Sequence, residues 1–421
     1  MNFETATLDS LCELVVDCPH STPKWTDEGI IVLRNQNIKN GVLDLSAPSF
    51  TNEEDYLKRI KRAAPKAGDI VFTREAPMGE VCMIPEGLKC CLGQRQVLLR
   101  PKSDVNGQYL FWALQSTYVQ QQIAWNEGTG STVSNVRIPV LKALNIPRIS
   151  NEDMVAKSLS DIASKMALNT QTNQTLEEMA QAIFKSWFVD FDPVKAKMRG
   201  EQPEGMDEAT ASLFPEKLVE SELGLIPEGW EVKPLDKVAH FQNGLALQKF
   251  RPESEGDDFL PVLKIAQLRQ GYCDGKEKAR TDIKESCRVY DGDMIFSWSG
   301  TLMIDLWTGG NAALNQHLFK VTSEEYNLPL YLYWTKHHLA KFQQIAKDKA
   351  VTMGHIKRGH LSESLCVIPP KALREKLDEV LLPLINQGLN LRLQSNQLAT
   401  LRDTLLPKLL SGEIELGEHG N

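Results

Sequence analysis

Reading a base edge requires side chains with paired donors and acceptors, chiefly Arg, Lys, Asn and Gln, on a scaffold that can enter a groove. In this sequence such residues recur directly behind short apolar, β-branched runs. Arg34, Asn35, Gln36 and Asn37 follow Ile30–Leu33. Thr73, Arg74 and Glu75 follow Gly68-Asp69-Ile70-Val71-Phe72, and Gln94-Arg95-Gln96 is a third polar group. Later in the chain Lys264 and Gln267 follow Pro261-Val262-Leu263, and Ser297-Trp298-Ser299-Gly300-Thr301 follows Gly292-Asp293-Met294-Ile295-Phe296. Asn315-Gln316-His317 is the counterpart of the third group. Any one of these residues would also suit a solvated loop. As a set they predict hydrogen-bonding tips on matched strands, with a shared framework and diverging identities, as two readers of different base sequences need. The basic run Lys58-Arg59, Lys61-Arg62 and Lys66 suits either a phosphate-contacting patch or a solvated helix face offset by Glu53, Glu54 and Asp55.

Catalytic constellations are missing. There is no Gly-x-Gly-x-x-Gly, no P-loop and no His-Glu-x-x-His. Pro369-Pro370 lies between Ile368 and Lys371, so the Asp/Asn-Pro-Pro-aromatic motif of amino-methylation is absent. His337 and His338 are adjacent, diverge on any regular element, and are expected as exposed helix residues. Glu231-Val232-Lys233 and Asp282-Ile283-Lys284 fit the carboxylate-x-Lys tail of some nuclease sites, but neither has an evident metal-binding companion. The eight cysteines include no Cys-x-x-Cys spacing, which argues for reduced thiols in a cytoplasm over a zinc clamp or disulfide framework. The expectation is a binding protein with no metal or cofactor of its own.

The elements that must position these residues are written twice. Besides the strand runs above, Tyr109-Leu110-Phe111-Trp112 returns as Tyr331-Leu332-Tyr333-Trp334. Thr132-Val133 through Val136-Arg137 returns as Thr352-Met353 through Ile356-Lys357, and Ile146-Pro147 as Ile368-Pro369, always in the same order. After each Ile-Pro the pattern becomes a long helix. Leu159, Ile162, Met166, Asn169, Asn173, Leu176, Ala180 and Ile183 form one seam. Leu377, Val380, Leu384, Leu391, Leu398, Leu401 and Leu405, interrupted by Gln387 and Gln394, form the other. Two such runs predict an antiparallel coiled-coil pair whose buried amides penalise misaligned registers. Pro383 and Pro407 are expected to kink or shorten the second helix.

The predicted fold class is therefore α/β, with two pseudo-symmetric domains and two long antiparallel helices. The expected divisions are a first domain at 1–150, a central helical spacer at 151–190, a Gly- and Pro-rich linker at 191–229, a second domain at 230–370, a C-terminal helical spacer at 371–415 and a tail at 416–421. A chain of 421 residues accommodates this. The net charge of −8 excludes a protein that coats nucleic acid unaided. Met1 to Val16 lacks a cationic, apolar leader, and no apolar run approaches the ~18 residues of a membrane span. A cytoplasmic, membrane-free protein is expected.

With the duplication and helices in hand, three runs carry a family resemblance: Ser186-Trp187-Phe188-Val189-Asp190-Phe191-Asp192-Pro193, Ile226-Pro227-Glu228-Gly229-Trp230 and Leu405-Leu406-Pro407-Lys408-Leu409-Leu410-Ser411-Gly412. Across essentially its whole length the sequence resembles the specificity subunit of type I restriction-modification systems. That resemblance implies two target recognition domains, each reading half of a split site in double-stranded DNA, held apart by a two-helix spacer. It also implies two methyltransferase subunits, with S-adenosylmethionine, docked on the helices. Two restriction subunits, with ATP and Mg, complete the implied assembly, and the specificity subunit adds no catalytic group. A coiled-coil adaptor with two peptide-binding domains and a cryptic nuclease are the alternatives.

Overall fold

The computed structural model describes residues 4–125, 135–348 and 354–416. Thr132, Val133, Thr352, Met353 and the tail beyond Leu416 lie outside them. Packing divides the chain into two units, Met1–Met166 with Gln397–Asn421 and Ala167–Asn396.

In the first unit the framework strands are β1 (Glu4–Thr7), β2 (Cys12–Asp17), β3 (Ile30–Leu33), β4 (Ile70–Thr73), β5 (Val81–Met83), β6 (Cys90–Leu92), β7 (Gln96–Pro101) and β8 (Asn145–Arg148). β1 pairs antiparallel with β8, the order β2-β7-β4-β5 makes an antiparallel sheet, and β3 runs parallel to β6. The second unit repeats this with β9 (Glu231–Pro234), β10 (His240–Asn243), β11 (Phe259–Leu263), β12 (Met294–Ser297), β13 (Met303–Leu306), β14 (Ala312–Leu314), β15 (Leu318–Thr322) and β16 (Leu365–Ile368). β9 pairs with β16, the sheet order is β10-β15-β12-β13, and β11 runs parallel to β14. The repeated sequence thus gives a repeated topology. β4 and β12 are buried at every residue, which explains runs such as Ile70-Val71-Phe72 where an alternating pattern would mark a half-exposed strand.

Among the helices that support this framework are α1 (Glu53–Arg59), α2 (Glu152–Phe188), α3 (Leu328–Asp348) and α4 (Lys371–Leu410). In the first unit Val155, Ala156 and Leu159 of α2 share a core with Leu406, Leu409 and Leu410 of α4. In the second unit Asn169, 1% exposed, donates from Nδ2 to the Leu391 carbonyl (3.3 Å), Gln394 Oε1 (2.9 Å) and Ser395 Oγ (3.2 Å). One turn on, Asn173 faces Gly388, where a Cβ would come within 3.0 Å of Asn173 Oδ1. Advancing along α2 therefore means retreating along α4, the antiparallel pairing the two seams predict. A slipped register would leave the Asn169 amide buried without acceptors.

Three expectations about these segments need correction. Leu401 is 46% exposed, and Leu406 and Leu409 take the buried positions, because the apolar stripe drifts around a helix of this length. Pro383 and Pro407 do not shorten α4, which spans 40 residues against 37 for α2; each removes one backbone donor while side-chain packing on both sides retains the helix. The 191–229 stretch is folded. Asp192–Met198 and Glu208–Ser212 are helical, and Leu218–Ser221 pairs with Gly224–Pro227. Phe191, Val194, Phe214 and Ile226 are buried in one core with Phe184, Phe188 and Trp230. The turn residues that suggested a linker punctuate the short elements, and the aromatic residues between them supply the burial.

All eight cysteines are free thiols, seven of them buried. His337 is exposed as expected, but His338 is not. Its ring stacks on Trp334 at 6.0 Å, with Nε2 3.1 Å from the Leu365 carbonyl. Burial first, then His337 and Lys341, push its pKa down to about 4, against the opposing Leu365 carbonyl. The unfolded chain, with an ordinary histidine near ~6.5, takes up this proton first as the pH falls. Stability is therefore complete above about 6.5 and is lost toward pH 4, by at most about 3 kcal/mol. Urea titrations of His338→Gln between pH 7 and 4 should show a shallower acid loss than the parent; superimposable profiles would count against this account.

Candidate nucleic-acid interface

β3 and β6 are parallel and adjacent, so their C-terminal ends emerge at one edge. The Gly93 N–H donates to the Leu33 carbonyl at 2.8 Å, and a Cβ on Gly93 would sit 2.5 Å from that oxygen. With no Cβ to press on that oxygen, glycine suits this close approach. The end of β4 joins them: Arg74 N–H donates to the Arg95 carbonyl (2.8 Å), and Asn35 Nδ2 donates to the Glu75 carbonyl (2.7 Å). Three polar tips, far apart in sequence, thus form one surface.

The predicted residues divide on this surface. Arg34, Gln36, Gln94 and Arg95 are exposed. The Arg34 guanidinium lies 5.3 Å from the centroid of Trp25, itself 46% exposed. Gln94 Nε2 donates to the His20 carbonyl (2.6 Å), and the Glu75 carboxylate lies 2.9 Å from Arg95 Nε. Asn35 keeps a buried Oδ1 without a partner.

Asn37, Thr73 and Arg74, expected among the readers, instead brace the tips. Asn37 Oδ1 accepts from Arg34 N–H, and its Nδ2 donates to the Asp44 carbonyl, both at 2.9 Å. The fully buried Thr73 hydroxyl donates to the Pro77 carbonyl at 2.6 Å. Arg74 Nη1 lies 2.9 Å from both Asp17 carboxylate oxygens, and Nε is bonded to the Val136 carbonyl. Buried polar groups are paired within the protein, and these pairs leave little for a ligand. The basic run resolves in a similar way. Lys58 pairs with Glu54 on the solvated face of α1, while Arg59 is buried and donates to the carbonyls of Leu92 (2.9 Å), Gly93 (3.0 Å) and Ser21 (3.1 Å).

The second unit builds the same surface from β11, β12 and β14, with Asn315 N–H donating to the Leu263 carbonyl at 3.1 Å. Lys264 is ion-paired with Glu277, and Gln267 retains a buried, unpartnered Oε1. Ser297 and Asn315 are buried braces: the Ser297 hydroxyl donates to the Ser299 carbonyl (3.1 Å), and Asn315 Oδ1 accepts from His317 N–H (3.2 Å). Ser299 Oγ lies 3.2 Å from His317 Nδ1, and Gln316 Nε2 lies 3.3 Å from His317 Nε2. Trp298 packs on His317 and Phe319 with its Nε1 buried and unpartnered, while Thr301 is exposed.

Strand register fixes the correspondence between the surfaces. Gln96 lies opposite Thr73, and Leu318 opposite Ser297. Gln94 and Arg95 therefore match Gln316 and His317, one residue away from the alignment expected from sequence. Glu75 matches Ser299, and each makes the equivalent bridge, to Asn135 and to His355. One pair of positions thus carries Glu75–Arg95 in the first unit and Ser299–His317 in the second. Sequence reasoning passed over Glu75 and Trp25 as partners, because nothing local ties them to Arg95 or Arg34.

The surfaces offer hydrogen-bond donors, acceptors and aromatic faces. Among the described residues no group of three or more His, Cys, Asp or Glu could hold a metal ion. In the carboxylate-x-Lys segments, Lys233 bonds Tyr326 Oη at 2.8 Å, and Asp282 pairs with Arg280 at 3.0 Å. No helix among the described residues is long and apolar enough to cross a membrane.

Residues 1–178 and 227–392 match the family model of the type I restriction modification DNA specificity domain. The chain is 26% identical over 370 residues to the type I restriction enzyme MjaIX specificity subunit of Methanocaldococcus jannaschii, covering 85% of this chain and 80% of that protein. It is 24% identical over 418 residues to the type I restriction enzyme HindI specificity subunit of Haemophilus influenzae, covering 87% and 90%. Its fold is similar to that of the crystal structure of a type I restriction-modification S subunit from M. genitalium, with a TM-score of 0.53, 16% identity and coverage of 97% and 96%.

Proposed function

The chain belongs to the type I restriction-modification DNA specificity family as a non-catalytic specificity subunit, and on that footing we propose that it reads a bipartite site in double-stranded DNA. Each unit reads one half-site through its strand-end surface, and the chain directs two methyltransferase and two restriction subunits to that site. The chemistry resides in those partners, with S-adenosylmethionine in the former and ATP and Mg in the latter. The observation that carries this reading is the pair of topologically equivalent surfaces whose polar pairs differ, the Glu75–Arg95 ion pair against His317 on a buried Ser299. One framework presenting two sets of donors suits two different half-sites. The acidic balance agrees with it: partners supply the bulk attraction to phosphate, and this chain supplies donors at the grooves.

In this reading α2 and α4 set the gap between the half-sites. At ~1.5 Å per residue their 37 and 40 residues are about 56 and 60 Å long, against ~34 Å for one DNA turn. The test is single-molecule sequencing of methylated DNA from a strain with and without the chain. A split motif should be present only with it. Removing one heptad from α2 and the facing heptad from α4 takes out ~10 Å, or about three base pairs at ~3.4 Å each, and should shorten the gap accordingly. A contiguous motif, or an unchanged gap, would refute the proposal.

A further inference from the structure

Arg95 combines features that a surface ion pair does not require. Its backbone is left-handed, at φ 66°, a conformation unfavourable for a non-glycine residue. Its side chain is 57% exposed and that of Glu75 21%, so their ion pair offsets little of that cost. The strained turn is nevertheless held firmly. The Arg95 carbonyl accepts from Arg74 N–H, and the preceding Gly93 N–H reaches both the Leu33 carbonyl and Gln96 Oε1. The Glu75 carboxylate makes its shortest contact with Nε, and among the described residues Nη1 and Nη2 make no hydrogen bond. The guanidinium thus has a carboxylate beside Nε and a fork whose hydrogen bonds are unmade.

We propose that Arg95 reads a guanine in the half-site of the first unit, its two terminal nitrogens donating to O6 and N7, and that Glu75 is the residue that positions it. The fork offers donors only, which match the two acceptors of guanine in the major groove and clash with the N6 amino donor of adenine. A lysine has the charge but not the planar fork. The second unit has a histidine and a serine at these positions, so its half-site carries no requirement for an arginine-read guanine there. This inference rests on the DNA-reading function proposed above and goes further by naming a base and its reader.

The test uses the full chain assembled with its methyltransferase subunits. Duplexes carrying 7-deazaguanine, which lacks the N7 acceptor, are substituted one guanine at a time in the methylated motif. For the parent, one position in one half-site should weaken binding by about 5-fold or more, the lower range for a bidentate contact. In Arg95→Ala that position should become insensitive, while every position in the other half-site responds as before. Glu75→Gln should reduce the same sensitivity with Arg95 still present, an effect that a purely structural residue would not confine to one base. Should Arg95→Ala fail to assemble, Arg95→Lys and Glu75→Gln decide; an unchanged 7-deazaguanine profile in both overturns the inference. A guanine-free half-site, or equal sensitivity in parent and variant, also overturns it. A contiguous motif for the parent refutes instead the bipartite function on which it rests.

Discussion

Phe188→Ala should destabilise the second unit by about 4 kcal/mol, within the range for deleting a fully buried aromatic ring. Phe188 is 0% exposed at the end of α2, with ring centroids 5.2 Å from Phe184, 6.0 Å from Trp187 and 5.6 Å from Trp230. The same core holds Phe191, Phe214 and Ile226, so the ring ties the helix to the folded 191–229 stretch. Trp187, Phe214 and Trp230 pack on one another at 5.4 and 6.3 Å around the site, and a core that relaxes only partly around a deleted ring keeps a cavity. Phe188→Leu, which keeps most of the apolar volume, should cost less than half as much. Urea titration of the full chain measures both, and limited proteolysis should cut 191–229 faster in the alanine variant. A loss below about 1 kcal/mol for Phe188→Ala, or unchanged proteolysis, would show that this segment is not held by the aromatic core.

Arg59→Met should cost about 3–5 kcal/mol, the range for removing one member of a buried charged network. The methionine keeps an apolar stem, but the carbonyls of Leu92, Gly93 and Ser21 lose their shared donor where water cannot replace it. Asp55, 4.0 Å from the guanidinium, loses its cation as well. Gly93 immediately precedes the Gln94–Arg95 tip, so the effect reaches the reading surface. Methylated motifs from cells carrying the variant should become degenerate in the half-site read by the first unit, with the other half retained. Lys61→Met in the same basic run is a control, since an exposed lysine should change stability by no more than about 0.5 kcal/mol. Equal behaviour of the two variants would place Arg59 on the solvated face and refute its bracing role.

Both predictions concern residues whose importance is poorly legible in the sequence, for different reasons. The Trp187-Phe188 run is visible, yet the Gly and Pro residues around it suggest a linker. Short elements need as many turns as a linker does, and only the burial of Phe214 and Ile226 distinguishes the two cases. Arg59 is visible as one of five basic residues. Its position on the inner face of a seven-residue helix, against carbonyls more than thirty residues away, separates it from Lys58 and Lys61.

The duplicated framework, the strand runs Ile31–Leu33, Ile70–Phe72 and their repeats, and the two long helices with amides in their seam are all dictated by the order of residues along the chain. They rest on local physics: apolar periodicity, turn-forming residues and β-branched runs act over a few residues and leave a readable pattern. Which polar residues at the strand ends face outward is instead a matter of long-range packing. Thr73 and Arg74 stand beside Glu75, and Ser297 beside Trp298 and Ser299, with nothing in their types to rank them. Asp17, 57 residues upstream, takes Arg74 inward. The parallel pairing of β3 with β6 lifts Arg95 onto the surface beside Glu75. The allocation follows from which distant acceptors reach each donor first, because a buried polar group must be paired and an exposed one is left free to meet a base.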